Sequence, residues 1–238
     1  MDLCKKKKAL PTDDPAKQYG ETWLWTAIDT PTRLIIAFLG GARTLAEAKQ
    51  MLALLAARLT DKPLFVSDEL PQYAEALAEV YHTLVPVPPS GRRGRPRNPV
   101  RVLDADLDYA TVHKTREKGR VVKVERQVVY GTPERIAGRL ASSPSITINT
   151  AYIERSNLDW RLWDAHLTRK ALTFAKSARL LLAKFATVVT FYNFLRPHET
   201  LSRGKDRKFH PCTPAMAAKI SDHVWTVKEL LTWHVCCQ

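Results

Sequence analysis

The sequence predicts an α/β chain with a mostly helical C-terminal part, and three observations carry that expectation. Two apolar runs of strand length meet at an Asp-Thr-Pro-Thr turn near the start. An Ala- and Leu-rich stretch of helical periodicity then leads into a short β-type run that ends in an acid. After residue 150 the periodicity is largely helical.

The elements follow in order. "TWLWTAIDTPTRLIIAFL", 22–39, reads as a β-hairpin about its Asp-Pro turn. "TLAEAKQMLALLAARL", 44–59, reads as a helix with Thr44 as N-cap and Glu47 at the capping-box position. "PLFVSDEL", 63–70, is a short strand ending at Ser67-Asp68, and a helix begins at about Pro71. The Pro-, Gly- and Arg-rich stretch "PVPPSGRRGRPRNPVR", 86–101, reads as a loop with arginines at 92, 93, 95, 97 and 101. "YATVHKTREKGRVVKVERQVVYG", 109–131, reads as a hairpin turning at Lys118-Gly119, followed by a helix with Pro133 in its first turn. A helix carrying Glu154 and running to about Lys170, a long apolar one over 174–195 that stops before Pro197, and short terminal helices complete the chain.

Composition bounds the function. The chain has 238 residues, 45% of them hydrophobic, enough for one sizeable core. The sequence reads as lacking an uninterrupted apolar run of membrane-span length and a signal peptide, and a reducing cytoplasm suits its four cysteines. Cys212, Cys236 and Cys237 gather near His210 and His234 without a C-x2-C pair, so ordinary thiols are favoured over zinc. With 37 Lys and Arg against 24 Asp and Glu, the net charge of +13 favours a polyanionic partner such as nucleic acid.

Two acids are candidates for chemistry. Asp68 stands at a strand's carboxyl end, where functional residues of open α/β sheets collect, but from local context alone a cap on the next helix is the favoured reading. Glu154, Asn157, Arg161, Asp164 and Thr168 recur at helical spacing as one polar stripe, beside an apolar stripe of Ile153, Trp160, Trp163 and Leu167. Trp160 and Trp163 are read as core rather than as base-stacking platforms. Phosphodiester chemistry needs Mg²⁺ or Mn²⁺ held by carboxylates from separate elements. Asn157 and Arg161 suit phosphate contact or support of Glu154. Arg92, Arg93, Arg95 and Arg97 suit a phosphate backbone, or form a merely solvated loop; Lys170 is a phosphate-tracking candidate or an ordinary helix end.

The blocks "WLWTAIDTPTRLIIAFLGGARTLAEA", "FVSDELPQY", "INTAYIERSNLDWRL" and "FYNFLRPHETL", in this order and spacing, resemble the insertion-sequence-one (IS-one) family of bacterial and archaeal transposases. The resemblance runs from about Trp23 to the end. It implies a ribonuclease-H-like mixed sheet with flanking helices and an Asp-Asp-Glu triad holding two divalent metals. Cleavage at element ends and joining of the 3′ hydroxyl to target DNA would follow, in a homo-oligomer on double-stranded DNA. It places the second acid at Asp68 and the third at Glu154. The first is expected either at Asp2, ahead of the Lys5–Lys8 cluster, or upstream of Met1; Asp29, at a hairpin turn, ranks behind it. His198 in "RPHET" is expected as a structural hydrogen-bond partner ahead of a phosphate or metal role. The expected organisation is a degenerate or truncated N-terminal segment over 1–20, a catalytic domain over 21–200 carrying a loop and hairpin insertion at 86–131, and a helical tail over 201–238. An inactive DNA-binding remnant and a nuclease of the same fold are the rival readings.

Overall fold

A computed structural model describes residues 22–88, 97–168, 173, 175, 177–204 and 208–233. Asp2, Arg92, Arg93, Arg95 and Lys170 lie outside the described residues. The protein is mixed α/β and falls into two compact units, one formed by the described residues of 1–42 and 151–238, the other by those of 43–150. The expected catalytic domain over 21–200 draws on both.

The first unit opens with the expected hairpin. Strands β1 (Trp23–Ile28) and β2 (Ile35–Gly41) pair antiparallel. Asp29 organises the turn: its carboxylate accepts from the Thr32 amide at 3.1 Å and from the Thr32 hydroxyl. Helices α4 (Ala151–Trp163) and α5 (Ala178–Thr190) belong to this unit, and a π-helical turn, Phe191–Leu195, continues α5. Their core gathers Ile35, Trp160, Leu181, Phe185, Val189 and Tyr192. Asn193 is buried and bridges the edge of β2, its Oδ1 accepting from the Ile35 amide and its Nδ2 donating to the Ile35 carbonyl, both at 3.0 Å. One side chain thus satisfies a backbone donor and acceptor that would otherwise be stranded. The helical stretch Ala178–Ser202 is long and apolar enough to cross a membrane, contrary to the sequence reading. Leu181, Phe185 and Val189 of this stretch pack into the core, while 28% of its apolar window is buried.

Helix α4 is shorter than its periodicity predicts. It ends at Trp163 because Asp164 turns away: its carboxylate accepts the His166 amide and caps the 3₁₀ turn Ala165–Leu167. Asp164 is fully buried and receives the Lys184 ammonium at 2.6 Å. Burial alone would push its carboxyl up, but Lys184 and the bonds from His166 hold it below the usual carboxylate range. Asp164 and Thr168 therefore do not continue the helical stripe of Glu154.

The second unit contains α1 (Leu45–Ala56), β3 (Leu64–Asp68), α2 (Pro71–Val80), β4 (His82–Val85), β5 (Val100–Leu103), β6 (Asp108–Glu117), β7 (Arg120–Tyr130) and α3 (Pro133–Ala141). Thr44 stands at the N-cap of α1, but its hydroxyl donates to the Glu47 carboxylate, so it does not cap a backbone amide as the capping box requires. β3 pairs in parallel with β6, and β6 antiparallel with β7, giving the order β3-β6-β7. The hairpin expected as part of an insertion is thus continuous with the strand that ends at Asp68. β4 and β5 pair antiparallel, Val85 opposite Val100, and bracket the basic loop; Arg101 lies in β5, not in the loop. At the far end of the hairpin Lys118 and Gly119 take φ of 47° and 82°, the left-handed pair that a two-residue turn needs.

The fully buried Asp108 anchors this unit, paired with Arg135 and Arg139 at 2.6 Å each. Gly131 makes room for it: its φ is +94°, and a Cβ there would collide with Asp108 Oδ1. Gly131→Ala is expected to lower stability by at least about 1–2 kcal/mol from the left-handed backbone alone, with further loss as Asp108 shifts. Urea denaturation checks this; an unchanged midpoint would refute it.

Candidate functional site

Asp68 ends β3, opposite Val112 of β6. Its side chain is 66% exposed and lies 3.8 Å from an Arg43 guanidinium nitrogen. It does not cap α2: the N-cap position is Leu70, with no side-chain cap bond. The two roles left open by the local sequence are thereby separated, because the carboxylate is not consumed in ending a helix. Beneath it, the Ser67 hydroxyl meets the Tyr109 phenol at 2.8 Å. Burial, then the Asp68 charge, push the Tyr73 phenol upward, and burial does the same to Tyr109, so both stay protonated around the acid. The next residue, Glu69, pairs with His113 of β6. The carboxyl end of β3 is therefore an open surface bearing two carboxylates, an imidazole and a guanidinium.

Glu154 occupies the first turn of α4 and is exposed; Asn157 and Arg161 follow at three and seven residues and are half-buried. The apolar stripe behaves as predicted at Trp160 and Leu167, which are buried. A feature not foreseen from sequence lies at the start of this helix. Arg33, in the left-handed conformation at φ 63°, is buried, with its guanidinium carbon 3.8 Å above the Tyr152 ring. Its Nη1 is buried without a hydrogen-bond partner. Arg33 and Asp159 act electrostatically on Tyr192 and His198, so one polar cluster joins the hairpin turn, α4 and the "RPHET" segment. Burial pushes the Tyr192 phenol up to about 12. Only a motif comparison could have drawn attention to Arg33, since an arginine after a turn ordinarily reads as solvated.

His198 stands at the N-cap of the short helix α6 (Glu199–Ser202), its ring edge-on to Tyr192 and its Nδ1 buried without a hydrogen-bond partner. Its backbone amide donates to the Cys212 carbonyl at 2.9 Å. Burial, then the Arg33 and Arg196 charges, lower its pKa; Asp159 and Glu199 oppose them. A histidine held neutral in the fold but protonated when unfolded contributes stability above pH 6.5 that is lost as pH falls below it. The urea midpoint is therefore expected to fall between about pH 7.5 and about pH 5.5, and to fall less in His198→Gln. Identical pH dependence in the two proteins would contradict this placement.

Among the described residues, no group of three or more His, Cys, Asp or Glu side chains forms a metal-ligand set. Asp68 and Glu154 each offer an exposed carboxylate, the hard oxygen donor that Mg²⁺ and Mn²⁺ take. Arg97 is exposed just before β5. Comparison with protein-family models, with curated proteins and with solved structures finds no match.

Proposed function

We propose that the chain is a transposase of the Asp-Asp-Glu type, acting on insertion-sequence ends by metal-dependent cleavage and strand transfer, as its resemblance to the IS-one family implies. The observation that carries this reading is Asp68: an exposed acid at the carboxyl end of a parallel-paired strand, not engaged as a helix cap. Asp68 and Glu154 would hold Mg²⁺ or Mn²⁺, with Asp2 as the candidate third ligand. The cations would supply Lewis-acid activation of the attacking oxygen and stabilise the leaving one. The protein's own part is to orient DNA: Asn157 and Arg161 near Glu154, and Arg92, Arg93, Arg95, Arg97 and Lys170 along the backbone. The ribonuclease-H-like fold belongs to the same proposal. Its support is the sequence of an antiparallel hairpin, a helix, an acid-tipped strand and a second helix. The working form is a homo-oligomer pairing two double-stranded element ends in a prokaryotic cytoplasm.

The test is incubation of the full chain with element-end DNA and Mn²⁺, followed by product sizing. Strand-transfer products support a transposase. Cleavage without joining would favour a nuclease. DNA binding without either, indifferent to Asp68→Ala and Glu154→Ala, would mark a remnant.

A further inference from the structure

Arg33 is a buried cation without a counter-ion. Only 7% of it is exposed, its Nη1 has no hydrogen-bond partner, and it makes no ion pair among the described residues. A guanidinium held away from water without an anion is far costlier than an exposed one. The backbone adds strain: its φ of 63° lies in the left-handed region, which a residue other than glycine enters rarely. The acid of the same turn does not offset this, because the Asp29 carboxylate is taken by Thr32.

A second guanidinium stands in the same condition. Arg196 rests on the Trp163 ring, 4.3 Å from its centroid, as Arg33 rests on Tyr152, and it too makes no ion pair among the described residues. Both arginines act electrostatically on His198 and on Tyr192. The acids that act on the same two rings have other partners: Asp159 lies 3.8 Å from Arg155, and Glu199 pairs with Arg203. The charges of Arg33 and Arg196 are therefore left unmatched. Between them His198 adds an Nδ1 that is buried without a hydrogen-bond partner. Stacking on a ring holds a guanidinium by its face and leaves the N–H groups of its edge for paired hydrogen bonds to an oxyanion.

We propose that Arg33, Arg196 and His198 form an oxyanion site for a phosphate group. Two unmatched guanidiniums call for an anion, and a phosphate, with several acceptor oxygens, can engage both forks and the imidazole together. The site lies within the unit formed by the described residues of 1–42 and 151–238. It uses neither Asp68 nor Glu154, so it goes beyond the metal chemistry proposed above and does not depend on it.

NMR titration of the full chain with inorganic phosphate, at fixed pH and with chloride exchanged to hold the ionic strength, tests it. The His198 ring signal is assigned by its loss in His198→Gln. A saturable shift of that signal is expected in the wild type. Arg33→Gln and Arg196→Gln should each weaken the affinity at least about tenfold, the loss of a charge-assisted hydrogen bond. Arg33→Lys, which keeps the charge without the planar fork, should weaken it less than Arg33→Gln. Arg196 is exposed, so its variant decides the matter even if replacing the buried Arg33 disturbs the fold. No saturable shift in the wild type, or equal affinity in the wild type and Arg196→Gln, would overturn the site and leave the transposase reading standing. A short DNA duplex then identifies the source of the phosphate. Competition with inorganic phosphate for the His198 signal assigns the site to a backbone phosphodiester. A duplex that leaves the phosphate affinity unchanged assigns it to a free phosphate.

Discussion

Asp68→Asn and Glu154→Gln are each expected to lower Mn²⁺-dependent cleavage of element-end DNA about a thousandfold while leaving the fold and DNA binding in place. A bound cation contributes several kcal/mol of transition-state stabilisation, and each 1.4 kcal/mol is about a factor of ten in rate. Both side chains are exposed, and neither replacement changes volume appreciably, so stability should move by no more than about 0.5 kcal/mol. Loss of activity without loss of the cooperative unfolding transition distinguishes a ligand role from a structural one. A variant that keeps within about tenfold of wild-type cleavage would remove that acid from the chemistry.

The second large effect concerns the core that carries Glu154. Trp160 is 2% exposed and meets Tyr192 at 5.1 Å, with Phe185 and Trp163 each at 5.6 Å, all edge to face. Trp160→Ala is expected to cost about 3–5 kcal/mol, the transfer and cavity terms together. Trp160→Phe should cost markedly less. It keeps an aromatic ring among the others, and it deletes an indole N–H that is buried without a hydrogen-bond partner. Denaturant unfolding of the two variants checks the ordering. If the Phe variant proved as unstable as the Ala variant, volume alone would govern the site.

The elements legible in the sequence are those whose signals are local. The β1–β2 turn announces itself through Asp29 and Thr32, which hydrogen-bond within the turn. The β6–β7 turn does so through Lys118-Gly119, whose positive φ values match the expected type. Helices α1, α2 and α3 begin within a residue or two of the positions their caps and prolines predict. What escaped depends on distant partners. β4 and β5 are four residues each, and Pro86 and Pro99 next to them favour a loop reading; only their mutual pairing makes them strands. The parallel pairing of β3 with β6 joins residues about forty positions apart, and no local pattern encodes it. The end of α4 was missed because Asp164, at the right spacing for a polar stripe, is committed to Lys184 and a cap.

The candidate acids were legible for a different reason. Asp68 follows a short apolar run and precedes a proline-initiated helix, so its strand-end position could be read directly. Glu154 could be assigned to a helix, but not to a function, from spacing alone. Arg33 illustrates the limit. Its burial depends on Tyr152, more than a hundred residues later, and nothing in "DTPTR" distinguishes it from a solvated arginine.

The most direct test is a double-mutant cycle on Mn²⁺ affinity with Asp68→Ala, Glu154→Ala and the double variant, read by calorimetric titration of the full chain. If both acids serve one set of cations, either single change should abolish most of the binding and the second should add little. Wild-type binding that survives both changes, or losses that simply add, would contradict a shared metal role for Asp68 and Glu154.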